Sequence, residues 1–155
     1  MTGEREVGPF RLAAAVLIQW TWGLLQNLAG LVTLFLLGRQ PRERYRTAVV
    51  TCYHSRLLGS AGCFSLGMFI FIEGSIRGES LRRLKVHEYG HTVQSLILGP
   101  FFLIAAALPS ALWNLRFSAR RGGYRAMGVR YSDRYPENWA NRLGRRVTAD
   151  EPIDW

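Results

Sequence analysis

His87-Glu88-Tyr89-Gly90-His91 is the stretch whose residue types and spacing suit a chemical task. Residues four apart share one face of a helix, so the imidazoles of His87 and His91 can reach one metal ion from successive turns. Glu88 then stands where a carboxylate can take a proton from a water activated by that metal. Two of the three histidines in the chain fall in this pattern. The bland alternative is two histidines packed or solvated on a helix beside an ordinary carboxylate. The flanking apolar residues Leu81, Leu84, Val93, Leu96 and Ile97 predict a helix over 80–98. Ser80 is its expected N-cap, and Gly99-Pro100 its expected break. Gly90 would let another element lie close against it or is simply tolerated, and Gln94 is expected to pack, with support of a ligand as the lesser reading.

A catalytic zinc takes three protein ligands and keeps one position open. The remaining candidates are His54 and the later carboxylates Asp133, Glu137, Asp150, Glu151 and Asp154. Glu137 alone opens an expected helix, 136–144, which Pro136 starts and Gly144 ends. The expectation is therefore one Zn2+ per chain on His87, His91 and Glu137, with Glu88 as general base. A donor for a developing oxyanion is expected among His54, Tyr124, Tyr131, Arg134 and Tyr135, with no choice between them.

These groups must be positioned by a chain of 155 residues, one domain's worth. A mean hydropathy of +0.01 hides strong segregation, because long apolar runs alternate with arginine-rich ones. The net charge is +9, yet no nucleic-acid motif is present and the basic stretches lack interleaved stacking aromatics. Membrane lipid is the expected partner, and nucleic acid is not. Cys52 and Cys63 are too few for a disulfide framework and are expected to be reduced.

Residues 12–37 carry no charge and are long enough, at about 1.5 Å per residue, to cross a hydrocarbon core of about 30 Å. An uncleaved transmembrane helix is expected there. Its stripe of Gln19, Gly23, Gln26, Asn27 and Gly30 should face another helix rather than lipid. A basic loop, Arg39 to Arg46, leads to an expected β-hairpin over 45–72. Its strands are Tyr45 to Tyr53 and Phe64 to Ile72, joined around Gly59 to Gly62. A second membrane helix over 57–72 is the competing reading, disfavoured by its length and three glycines. The open edge of a strand here could hold an extended peptide by main-chain hydrogen bonds. An apolar returning helix is expected over 100–115, then a basic loop at Gly122-Gly123. From Arg145 onward the sequence is charged and without periodicity.

HEYGH together with Glu137-x-x-Ala140-Asn141 resembles the HExxH and ExxAD signatures of membrane-bound gluzincin peptidases, the class of the CAAX prenyl proteases and HtpX-type heat-shock proteases. The resemblance covers the site helix and residues 137–141 only. It implies that His87, His91 and Glu137 hold zinc and that Glu88 activates water to cut a peptide or membrane-protein substrate. Asn141 stands where those families carry aspartate, so its contact to a ligand histidine would be a neutral hydrogen bond.

Placing Glu137 in the site constrains topology. A single crossing between Val93 and Leu115 would leave Glu137 and His87 on opposite sides of the membrane, so a helical hairpin or re-entrant element is expected. Of the 20 basic residues, two precede the apolar run, nine lie between Arg39 and Lys85, and nine between Arg116 and Arg146. By the positive-inside rule the site faces the cytoplasm and the N-terminus lies outside a bacterial inner or plasma membrane. The expected fold is a mainly α integral membrane protein with a small β-hairpin. It is a single domain, a minimal gluzincin-like core with one N-terminal transmembrane helix. The alternative function is a non-catalytic membrane adaptor, or a structural-zinc protein that binds lipid or a partner through its basic face.

Overall fold

The computed structural model describes residues 8–54, 62–118 and 128–154. The expected Gly122-Gly123 loop, Tyr124 and most of the Gly59 to Gly62 turn lie outside them.

The uncharged N-terminal run forms two helices rather than one, α1 (Pro9–Thr21) and α2 (Leu24–Leu36), bent by 93°. Among the described residues no single helix is long and apolar enough to cross a membrane, and only the bent pair taken together meets that test of length and composition. The expected single span over 12–37 is corrected accordingly. The break falls at Trp22-Gly23, and the polar stripe gives its reason. The Asn27 amide donates to the Gln19 main-chain carbonyl, and Gln26 Nε2 donates to Ser95 Oγ at 3.0 Å and to Gly99 O at 2.9 Å. Buried amides need partners, and a straight helix would not carry Gln19 and Asn27 to theirs at once. The stripe faces inward as expected, with Gln19, Gly23, Gln26, Asn27 and Gly30 buried.

A four-stranded sheet follows, made of β1 (Arg42–Tyr45), β2 (Ala48–Tyr53), β3 (Phe64–Leu66) and β4 (Phe69–Glu73), in the order β1-β2-β4-β3. Two corrections follow. Part of the expected basic loop is strand β1, and the two apolar runs are not the arms of one hairpin. Each run instead contains or completes a tight hairpin of its own, β1-β2 through Arg46-Thr47 and β3-β4 through Gly67-Met68. Arg46 (φ 54°) and Gly67 (φ 61°) supply the positive φ that a two-residue hairpin turn needs at its first position. β2 and β4 then pair in parallel, Val50 opposite Ile70. A membrane helix over 57–72 is excluded for its described part, since 64–66 and 69–73 are strands.

β4 is buried on both faces, which explains its unbroken Phe69-Ile70-Phe71-Ile72. Ile70 and Ile72 pack with Val50, Leu84 and Tyr89, while Phe69 and Phe71 pack with Tyr53, Leu37, Leu34 and Trp20. The sheet thus lies between the site helix on one face and the α1-α2 elbow on the other.

The site helix is α3 (Gly78–Leu98), which begins two residues earlier than expected, with Arg77 and not Ser80 at the N-cap. It stops at Gly99 (φ 53°), where Trp22 packs too closely for a side chain. The return is a 3-10 turn at Gly99–Phe101, a π-helical turn at Leu103–Ala107 and α4 (Leu108–Ser118). α5 (Glu137–Thr148) is longer than the expected 136–144. Gly144 does not end it.

Gly144 is instead a contact residue, as is Gly90. A Cβ on Gly90 would lie 2.0 Å from Ala140 O, and one on Gly144 would lie 2.3 Å from Val86 O. Two helix-interior glycines, each costing about 1 kcal/mol against alanine, let α3 and α5 meet backbone to backbone. Gly90→Ala is therefore expected to force the helices apart and destabilise by about 1–3 kcal/mol. A thermal melt reads this as a fall of several degrees.

Candidate metal centre

α3 presents His87 and His91 from successive turns, and the glycine contact brings the first turn of α5 against them. Glu137 Oε2 lies 3.1 Å from His87 Nε2 and 3.2 Å from His91 Nε2. One ligand atom from each of the three residues falls within 4.8 Å of the others, so this buried group could hold a metal ion. It is the one such group among the described residues. The three residues expected from sequence as ligands are those the fold brings together.

The donor set passes a further test. Each imidazole has its other nitrogen held by an amide oxygen, His87 Nδ1 by Asn141 Oδ1 at 2.7 Å and His91 Nδ1 by Gln94 Oε1 at 2.7 Å. A carbonyl oxygen only accepts, so Nδ1 carries the proton and Nε2 is the nitrogen that faces the cluster. Glu137 Oε1 is buried without a hydrogen-bond partner, as is Glu88 Oε2. A buried carboxylate oxygen without a partner is costly, and a cation held at the triad would supply one to Glu137. Two imidazoles and one carboxylate suit zinc.

No known protein family, curated protein or solved structure matches the chain. The gluzincin resemblance therefore stays with the two motifs. What stands on the geometry is a buried triad that could hold a metal ion.

The electrostatics follow from burial. Glu137 is 1% exposed, yet the two histidines outweigh desolvation and hold its carboxyl well below the usual range. At His91, burial favours the neutral ring, but the charge and hydrogen bond of Glu137 win and push it up to about 9. Burial pushes the Glu88 carboxyl up against the pull of His87 and His91. Ser65, on the edge strand β3, lies beside it.

These shifts set a pH window for the metal-free protein. Glu137 contributes stability above its ordinary value near 4.5 and loses it as pH falls through its lower folded value. His91 contributes stability that is complete below 6.5 and lost as pH rises through about 9. The metal-free melting temperature is expected to drop between about pH 7 and pH 10. Because a metal ion must displace the His91 proton, metal binding at the triad should release protons and tighten from about pH 6 toward pH 9. Melting with and without a chelator across this range checks both.

Three of the expected oxyanion candidates contact neighbouring helices. Tyr135 donates to Ala105 O at 2.6 Å and stacks on Trp139, Arg134 lies over Trp113, and Tyr131 shares a hydrogen bond with Ser110 at 3.2 Å. These three fasten the segment before α5 to the returning helices. His54 is exposed at the end of β2, with its ring over Gly74. The structure does not bring His54 into the triad. Gln94, expected to pack with support of a ligand as the lesser reading, holds the His91 ring. Its position, one helical turn after His91 on the same face, was the available signal.

Proposed function

We propose that the chain is a zinc-dependent metallopeptidase that cuts a peptide bond near the cytoplasmic surface of a membrane. The observation that carries this reading is Glu88, a buried carboxylate with an unpartnered oxygen on the helix that carries two residues of the metal-binding triad. When bound on His87, His91 and Glu137, zinc supplies Lewis acidity toward a substrate carbonyl and toward water. Glu88 takes a proton from the attacking water as its oxygen bonds to the carbonyl carbon, and delivers it to the departing amine as the C–N bond breaks. Burial raises the Glu88 pKa above the ordinary carboxylate value, the direction that suits a group which must both take and return a proton. Among the described strands, β3 pairs with β4 alone. Its free edge suits an extended substrate, and Ser65 on that strand would carry the substrate past Glu88.

Support for the membrane comes from the outer faces. Leu17, Trp22, Leu25, Val32 and Phe35 on the elbow are exposed, as are Ile104, Leu108 and Leu112 on the returning helices. Apolar surface of that extent asks for lipid or a partner, and the arginine-rich flanks favour anionic lipid. The bent α1-α2 pair and the return after Gly99 then enter the bilayer, with the basic flanks and the site on the cytoplasmic side.

The test is hydrolysis of an unstructured protein by the zinc-loaded chain in detergent, with products read by mass spectrometry. Cleavage that stops with a zinc chelator and resumes with zinc supports the reading. An intact substrate in the presence of tightly bound zinc would leave a structural-zinc or adaptor protein. Flotation with anionic vesicles tests the membrane, and recovery in the aqueous fraction would refute that part.

A further inference from the structure

We infer that the segment Asp150–Asp154 is a latch that sets the ligand ring of His87 through Asn141, an inference that rests on the zinc reading above. The two ends of an asparagine amide are alike in size, and only their partners decide which end points where. One end of Asn141, Oδ1, holds His87 Nδ1 at 2.7 Å. The other end, Nδ2, donates to the main-chain carbonyl of Ile153 at 3.3 Å. That carbonyl accepts and cannot donate, so it claims the NH2 end and leaves the oxygen for His87. An aspartate at 141 would turn an acceptor toward Ile153 O and find no donor. Asparagine is what a position between a ligand imidazole and a main-chain carbonyl requires.

His91 has the same device with a firmer end. Gln94 Nε2 donates to Pro136 O at 2.9 Å, the carbonyl that enters α5. The His87 relay instead ends on an irregular segment that must itself be held. Ile153 N–H donates to Arg83 O at 3.1 Å, and Arg83 Nε donates to Pro152 O at 3.1 Å, tying the segment to α3. Asp154 accepts from Ser132 at 2.6 Å and pairs with Arg130 at 3.1 Å. Asp150 pairs with Arg82, and Glu151 with Arg145, each at 2.8 Å. The three acids thus clamp the segment from outside the core, where each exposed pair contributes at most about 1 kcal/mol. The latch can be loosened with the fold intact, and what it controls is the presentation of His87 Nε2.

Zinc affinity, by competition titration, is measured for four full-length proteins. These are the wild type, the triple variant Asp150→Ala, Glu151→Ala, Asp154→Ala, the variant Asn141→Ala, and all four substitutions together. Asn141→Ala should weaken zinc by about 10–100-fold. The triple variant should weaken it about three- to tenfold in the wild-type background and less than about twofold once Asn141 is gone, because the latch acts through that amide. A general loosening would cost the same in both backgrounds. Equal losses, or no loss in the wild-type background, overturn the latch and leave the zinc site standing. A wild-type chain that takes up no zinc removes the zinc reading and the latch with it.

Discussion

Glu88→Gln is expected to keep the zinc and lose the hydrolysis, with a rate lower by about 10²–10⁴-fold. Glutamine has the shape of glutamate but cannot take a proton from water. The change should cost the fold little, because Glu88 Oε2 gives up no hydrogen bond and a buried charge is removed. Zinc content and cleavage rate, measured on the same preparation, separate the two roles. Full zinc with a wild-type rate would take Glu88 out of the chemistry.

Glu137→Ala and His91→Ala are expected to reduce zinc from about one per chain to near none, since each removes one of the three proposed ligands. Glu137→Ala should also act without metal. It leaves His91 Nε2 without the carboxylate that raises its pKa, and breaking a buried pair of this kind costs about 3–5 kcal/mol. The alkaline loss of stability assigned to His91 should then shrink, because its folded pKa falls back from about 9 toward the ordinary value. Elemental analysis and chelator-treated melts read the two effects independently. Retention of stoichiometric zinc by Glu137→Ala would send the third-ligand role to another residue.

The triad was legible because its parts are local. Four-residue spacing put His87 and His91 on one helix face, and Pro136 with Glu137 announced a helix start. Asn141 one turn on from Glu137 was legible in the same way. The holder of His91 was less so, since Gln94 reads as an ordinary helical polar residue until a loop carbonyl at Pro136 turns its amide. Nothing in the charged stretch 150–154 signals that a main-chain carbonyl there faces Asn141. Backbone partners leave no trace in side-chain type.

The sheet and the elbow mark the other limit. The β-branched residues of β2 and the apolar run in β4 signal strands, but not which strand lies beside which. The parallel β2-β4 pairing depends on contacts between distant segments. Likewise 26 uncharged residues satisfy the length of a span, and only the partners of Gln19, Gln26 and Asn27 on α3 and the β3-β4 turn bend them at Gly23.

By itself the sequence determined the site helix, the face on which its histidines lie, the helix breaks at Gly99 and Pro136 and the segregation of apolar from arginine-rich runs. All of these follow from periodicity and backbone restriction within a few residues. The tertiary structure alone decided that Glu137 reaches His87 and His91, because that depends on how closely two helices approach. The two glycines that permit it, Gly90 and Gly144, take their meaning from the carbonyls of Ala140 and Val86 on the opposing helix.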